Sequence, residues 1–392
     1  MNNVCIVSEC QQILGVGGTE TVSFLIKEGL RKNGYCVWSA FFVPKAQMTK
    51  DDLLFPNGLE DIISTENIDF FINIINTHRI NTILVQGTTN DHILKLAIEV
   101  KKKTRVKLVY TNHFNPLMSV KEYDDYKDRC INSINNPIKR LITNIYLETK
   151  RLCYLHKNIK SIKEKYRHYD INNIDKFISL NKQHTKFLKS LFHTDYKDKF
   201  QTIANPIVLD GKENLFDKEN IILFVGRLAY QKRLDRLLFI WKDLQKKLQN
   251  WKVVVVGNGE YANEYLRISK ELELENIEFV GQQPSEEYFK RSKIICMTSS
   301  HESFGMVLVE GQKFGCVPIA YNSFESATDI IQNGHNGLLV SPFKQKEYSK
   351  AISKLASDEN FRRKLAVNGT RFIEKFDIKT IIKDWINLLE NI

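Results

Sequence analysis

The chain reads as two α/β domains in tandem, each a doubly wound parallel sheet. Three observations support this: its length, an alternation of apolar runs with amphipathic stretches, and a restart of that alternation after Asn205-Pro206. At 392 residues it exceeds the roughly 250–300 at which a single core stops growing. In the first half, residues 4–7, 37–43, 83–85, 107–110 and 177–180 are short β-branched or apolar runs, the mark of strands buried on both faces. Residues 19–32, 92–101 and 182–191 between them carry apolar side chains at helical spacing. That order of elements implies βαβ units and a parallel sheet covered on both sides.

Pro206 disfavours helix at its neighbour and punctuates the chain. The polar stretch 210–220 then suits a linker, and a second series of strands follows at 221–225, 253–256, 277–280, 294–297 and 317–320. Residues 378–392, with Ile381, Ile382, Trp385, Leu388 and Leu389 on one face, read as a packing helix. The expected division is a first domain over 1–207, a second over 208–375, and a helix over 376–392 returning to the first domain. Ligands of such sheets sit at the carboxyl ends of the strands, so two domains face to face would enclose one cleft.

The apolar fraction of 43% supports packed cores. No run reaches the roughly 18–20 apolar residues of a membrane span. The N-terminal residues lack the basic and apolar regions of a secretory signal, so a cytoplasmic location is expected. Seven scattered cysteines without a C-x-x-C pair fit reduced thiols, mostly in the core, and neither a disulfide framework nor a zinc site.

A formal charge of +11 calls for an anionic partner: nucleic acid, a lipid surface or a phosphorylated substrate. Residues 139–167 concentrate Lys139, Arg140, Lys150, Arg151, Lys157, Lys160, Lys163, Lys165 and Arg167 against only Glu148 and Glu164. Leu141, Ile142, Ile145, Leu152 and Leu155 are interleaved, so the stretch is either an amphipathic basic helix on anionic headgroups or the solvated face of an ordinary helix. The groove-reading and aromatic-interleaved motifs of nucleic-acid binders are absent.

The turns after strands carry the chemistry. Gly226-Arg227 opens the second series, with Gln231-Lys232 one turn on. A glycine with two cations at a strand end suits a diphosphate, although a surface ion pair is the alternative. Gly257-Asn258-Gly259 and Gly281 mark further tight turns. Gly15, Gly17 and Gly18 precede a helix and can present backbone N–H groups to an anion, but they fit neither a dinucleotide fingerprint nor a Walker loop.

The sharpest pattern is Glu302-Ser303-Phe304-Gly305 with Glu310 eight residues after Glu302. A helix beginning near Ser303 would set the carboxylates about 12 Å apart along the axis and about 80° apart around it. One would meet a sugar and the other a ribose, with amides near Phe304 and Gly305 meeting the diphosphate between them. The alternative is one Glu favourable to a helix dipole and one unrelated exposed Glu.

With these residues in hand, the chain resembles the family 4 retaining glycosyltransferases, which carry E-x7-E. The marks agree in order: Gly17-Gly18-Thr19-Glu20, Asn205-Pro206, Gly226-Arg227-Leu228 with Gln231-Lys232, Gly257-Asn258-Gly259, Glu302 through Glu310, and Asn333-Gly334 through Val340. The resemblance implies the GT-B architecture, two Rossmann-like domains facing a central cleft. It implies transfer, with retention, of a hexose or N-acetylhexosamine from a UDP-linked donor to a glycan or lipid-linked acceptor in surface polysaccharide synthesis. Arg227 and Lys232 would neutralise the diphosphate, Glu302 would meet the donor sugar and Glu310 the ribose. His113 would face the sugar, and Gly17 and Gly18 would border phosphates or acceptor. Gly257, Gly281, Ser303, Phe304 and Gly305 complete the implied donor site. No metal or other cofactor is expected, because the two cations do a metal's work. Ser303, where many relatives have Gly, and Ser323-Phe324-Glu325, replacing a Gly-Pro turn, depart from the pattern. Two other classes stay open: a sugar phosphorylase or epimerase of the same architecture, and a basic nucleic-acid-binding protein.

Overall fold

The structure, a computed structural model, describes residues 3–15, 17–87, 91–134, 136–168, 171–192, 194–209 and 215–392. Residues 210–214 of the expected linker, and the side chains of Lys165 and Arg167, lie outside the described parts. The chain forms two compact units.

The elements of the first half are β1 (Asn3–Cys10), α1 (Gly18–Lys32), β2 (Cys36–Val43), β3 (Asp52–Leu54), α2 (Thr65–His78), β4 (Thr82–Gly87), α3 (His92–Lys103) and β5 (Lys107–Asn112). They continue with α4 (Met118–Asn132), α5 (Pro137–His168), β6 (Lys176–Ser179), α6 (Lys182–Leu191) and β7 (Phe200–Thr202). The seven strands make one parallel sheet in the order β3-β2-β1-β4-β5-β6-β7. The continuous apolar runs of β1 and β4 are buried because helices cover both faces.

The second half gives β8 (Glu219–Val225), α7 (Leu234–Leu244), β9 (Lys252–Val256), α8 (Ala262–Glu271), β10 (Ile277–Gly281), α9 (Ser285–Arg291) and β11 (Ser292–Met297). Then come α10 (Met306–Lys313), β12 (Val317–Tyr321), α11 (Ala327–Ile330), β13 (Leu338–Val340), α12 (Gln345–Ser357), α13 (Glu359–Phe372) and α14 (Ile378–Glu390). This sheet is also parallel, in the order β10-β9-β8-β11-β12-β13. Strand order reverses at β8, so the loops after β8 and β11 flank a switch point, where a doubly wound sheet takes its ligand.

The units are not the contiguous spans 1–207 and 208–375. Unit 1 comprises Met1–Pro116, Lys157–Val208 and Lys375–Ile392, and unit 2 comprises Leu117–His156 and Leu209–Glu374. Helix α4 and most of α5 therefore belong with the second sheet. Their local pattern is that of any amphipathic helix, and only distant partners assign them. Within unit 1, α14 packs on α1, where a Cβ at Gly29 would come 2.8 Å from Ile382, and Trp385 is buried.

Strands β3, β7 and β13 escape the sequence reading because three residues are too few for a periodic signal. Expected core cysteines divide: Cys5, Cys296 and Cys316 are buried, whereas Cys36 and Cys153 are exposed; all seven are free thiols.

Candidate functional site

The loops after β8, β9 and β11 build one polar site in unit 2. Gly226 has φ +154, and its N–H donates to the Val256 carbonyl at 3.0 Å. A Cβ at Gly257 would lie 1.9 Å from the Gly226 carbonyl oxygen, so the β8 and β9 loops touch only because glycine stands there. Gly259 serves the same end against Leu228, and Gly257 N–H donates to the Gly281 carbonyl at 2.8 Å. These glycines are explained by loop-on-loop packing.

A single 3-10 turn (Tyr230–Lys232) leads through Arg233, in the left-handed region at φ 48, into α7. The β11 loop is tied to that turn. Ser300 N–H donates to the Gln231 carbonyl at 2.9 Å, and Gln231 Nε2 donates to the His301 carbonyl at 2.8 Å. Thr298 Oγ1 donates to the Arg233 carbonyl at 2.9 Å. The lashing brings Lys232 onto Glu302: the ammonium lies 2.7 and 2.9 Å from the two carboxylate oxygens. Ser299 Oγ donates to Glu302 Oε1 at 2.6 Å, and Glu302 is buried. The two residues are 70 apart in sequence, and their union is the centre of the site.

Arg227 stands apart from this pair. Its side chain is 73% exposed and its Nε meets Glu260 at 3.1 Å.

Helix α10 begins at Met306, four residues after Glu302, with Gly305 left-handed at φ 98 as its N-cap. The expected start near Ser303 is thus corrected, and Glu302 lies in the preceding loop. The helical ruler between Glu302 and Glu310 does not hold, and the first turn of the helix belongs to Met306 and its successors, not to Phe304 and Gly305. The reason is Gly305: a Cβ there would sit 3.3 Å from the Phe324 ring, and its left-handed conformation turns the chain before the helix starts. Buried Phe304 is held through its carbonyl, which accepts from Ser326 Oγ at 2.7 Å. The unusual Ser323 turn also supports the site, since Ser323 Oγ donates to the Ser299 carbonyl at 2.9 Å.

Glu310 is partly accessible. Desolvation pushes its carboxyl up to about 7, against a smaller lowering by Lys313. Among the described residues no hydrogen bond or ion pair holds this carboxylate.

The sequence reading missed α4, which packs across this end of unit 2. Asp125 is fully buried and accepts from Arg233, from Arg236 at 2.5 Å and from Tyr230 Oη at 3.2 Å. Glu122 lies 3.4 Å from buried His301, whose pKa is pushed down chiefly by burial. Lys121 pairs with Glu325 at 2.9 Å. Asp125 thereby braces the turn that carries Lys232. The only local signal was the run of charges in 121–129, which resembles a solvated helix.

In unit 1, His113 follows β5 and is buried, with Nε2 2.5 Å from Gln86 Oε1. Burial pushes its pKa down to about 4, so the imidazole is neutral at physiological pH. With Nε2–H donating to that oxygen, Nδ1 is the free acceptor. At Gly17 a Cβ would meet the Glu20 carboxylate, so the start of α1 already has an anion beside it. Among the described residues no cluster of three or more His, Cys, Asp or Glu side chains is placed to hold a metal ion.

Residues 208–372 match the family Glycosyl transferases group 1. One relative is the GalNAc-alpha-(1->4)-GalNAc-alpha-(1->3)-diNAcBac-PP-undecaprenol alpha-1,4-N-acetyl-D-galactosaminyltransferase of Campylobacter jejuni, 30% identical over 52% of this chain and 57% of that protein. Another is the amylovoran biosynthesis glycosyltransferase AmsD of Erwinia amylovora, 29% identical over 62% of this chain and 71% of that one. The match thus spans little more than half of the first relative's length. The structure of Anabaena Alr3699/HepE in complex with UDP-glucose superposes with a TM-score of 0.73 over 100% of both chains at 15% identity, a likeness of fold. The fold is that of the GT-B glycosyltransferases. The match places a glycosyltransferase domain at 208–372, which contains Arg227, Lys232, Glu302 and Glu310.

Proposed function

We propose that this chain is a glycosyltransferase, the class of its matched domain, and that it moves, with retention, a hexose or N-acetylhexosamine from a UDP-linked donor to a glycan or lipid-linked acceptor of a surface polysaccharide. The observation that carries this reading is the Lys232–Glu302 pair at the switch point of unit 2. An ammonium has three donors, so one held on a single carboxylate keeps donor capacity for a phosphate oxygen. Glu302, charge-balanced by Lys232 and oriented by the Ser299 hydroxyl, presents a carboxylate to which a sugar hydroxyl can donate.

In the reaction the acceptor oxygen bonds to the anomeric carbon, and the bond from that carbon to the diphosphate breaks. The electron pair passes to the leaving phosphate oxygen, and the acceptor's proton follows it. Lys232, with Arg227 free to swing from its exposed pair, stabilises the charge building on the diphosphate. This reading requires no metal. UDP fits because the Anabaena structure holds UDP-glucose, and a lipid-linked acceptor fits because the Campylobacter relative's name specifies a PP-undecaprenol glycan. Unit 1, with neutral His113, is assigned the acceptor side.

The test is incubation with a panel of UDP-sugars, with and without lipid-linked glycan acceptors. UDP release that depends on acceptor supports transfer. Phosphate-dependent release of sugar-1-phosphate, or conversion of the UDP-sugar to its epimer, sinks it.

Glu310 is assigned to the ribose, and its titration makes that checkable. An ionised carboxylate is the stronger acceptor, so UDP affinity rises as pH climbs through about 7. The fold responds oppositely: a carboxyl pKa raised on folding costs stability as pH rises from about 4.5 past 7. In Glu310→Gln, titration calorimetry should show a flat UDP affinity across that window. The variant should also gain thermal stability over wild type at pH 8 and not at pH 5. A wild-type affinity that does not change with pH removes Glu310 from the site.

A further inference from the structure

The two faces of α5 differ. One is packed: Leu147 is buried and its carbonyl accepts from Tyr123 Oη at 3.2 Å, while Arg151 pairs with Asp124. The opposite face bears Ile138, Leu141, Ile142, Ile145 and Leu152, all within about 60° of one line along the helix. Each is between 57% and 69% exposed. This apolar row is about 21 Å long. Lys139, Lys150 and Lys157 line one flank about 100–120° from Ile138, and Lys160 and Lys163 extend the row toward the C-terminus; all five are exposed. Lys150 lies 4.6 Å from the centre of the Tyr146 ring on the same side. The acidic residues of α5 are Glu148, on the other flank of the row and paired with Lys127, and Glu164, 3.8 Å from Lys160.

Apolar side chains in a line, with their own packing partners on the other side of the helix, are costly in water and mark a contact surface. The flanking lysines select the partner. A second copy of this chain would bring a matching row of lysines against them across a two-fold axis. A bilayer with anionic headgroups supplies both an apolar layer and the opposing charge. No helix among the described residues is long and apolar enough to cross a membrane. We propose that α5 lies in the plane of an anionic lipid surface, with Ile138, Leu141, Ile142, Ile145 and Leu152 entering the headgroup boundary and Lys139, Lys150 and Lys157 meeting the phosphates. The proposal stands independently of the transferase reading, because its test involves no turnover.

The experiment is co-sedimentation of the full chain with vesicles of phosphatidylcholine alone or mixed with phosphatidylglycerol. Binding is expected with the anionic vesicles alone, weakening as salt rises. Ile142→Glu with Ile145→Glu should abolish it while the circular dichroism spectrum is unchanged, because both side chains are exposed. Lys139→Ala and Lys150→Ala should each weaken binding about fivefold. Lys246→Glu with Lys247→Glu, a remote exposed pair, should leave it unaltered and so separate a local surface from the general basic charge. Any one of three results overturns the proposal: no binding to anionic vesicles, equal binding to neutral ones, or binding that survives both glutamates. A dimer in sedimentation equilibrium that the same glutamates dissociate, without vesicle binding, would instead give the row to self-association.

Discussion

Replacing Lys232 with methionine is expected to lower kcat/KM for the donor by about 10² to 10³, most of it in kcat. That is the range seen when one donor to a developing oxyanion is removed. The loss falls on kcat because charge on the diphosphate grows as the bond to the sugar breaks, and an interaction stronger in the transition state raises turnover more than affinity. The substitution also strips the Lys232 cation from Glu302, a buried carboxylate whose Oε1 accepts from Ser299 Oγ at 2.6 Å. A stability cost of about 1–3 kcal/mol should accompany it. A double variant separates the two effects. Lys232→Met with Glu302→Gln should recover most of the stability, since the buried charge that Lys232 balanced is gone, and none of the turnover. Steady-state kinetics and thermal unfolding of the three variants check this. A Lys232→Met enzyme within a few-fold of wild-type turnover would remove the pair from the chemistry.

The second large effect lies outside the catalytic assignments. Asp125→Ala leaves the guanidinium groups of Arg233 and Arg236 buried without their shared carboxylate. Truncating one partner of a buried charge cluster costs about 3–5 kcal/mol, because the remaining charges stay desolvated and uncompensated. Arg233 keeps Asp235 at 2.7 Å, which limits its share, whereas Arg236 keeps the Phe343 ring at 3.7 Å and, of the carboxylates, a distant Asp128 at 3.9 Å. The urea midpoint should fall sharply. Turnover measured well below that midpoint should fall too, because Asp125 braces the turn bearing Lys232. A loss under about 1 kcal/mol would show that α4 is not anchored by this cluster.

The two sheets were legible from one chain because buried parallel strands require unbroken apolar runs, and residues 221–225 and 253–256 have little freedom to be anything else. The short edge strand β13 lacks that constraint, since one side of an edge strand has no partner. The helix start at Met306 was misplaced by three residues for a local reason. Ser303 and Phe304 are acceptable helix formers, and the turn is imposed by Gly305 packed beside Phe324. Helix α4 was invisible as part of the site because Asp125 acts on arginines 108 and 111 residues away.

By itself the sequence determined the two parallel sheets, the positions of the strand-end loops, and the residue types offered there: Arg227, Lys232, Glu302, Glu310 and the glycines between them. Those follow from periodicity and turn chemistry, which act over a few residues. Tertiary structure decided which of these residues meet. It paired Lys232 with Glu302 across 70 residues, sent Arg227 to Glu260, left Glu310 largely desolvated, and brought α4 from the first half of the chain to the second sheet. Hydrogen bonds and ion pairs of a few ångströms are set by the packing of whole elements, and no spacing along the chain encodes them.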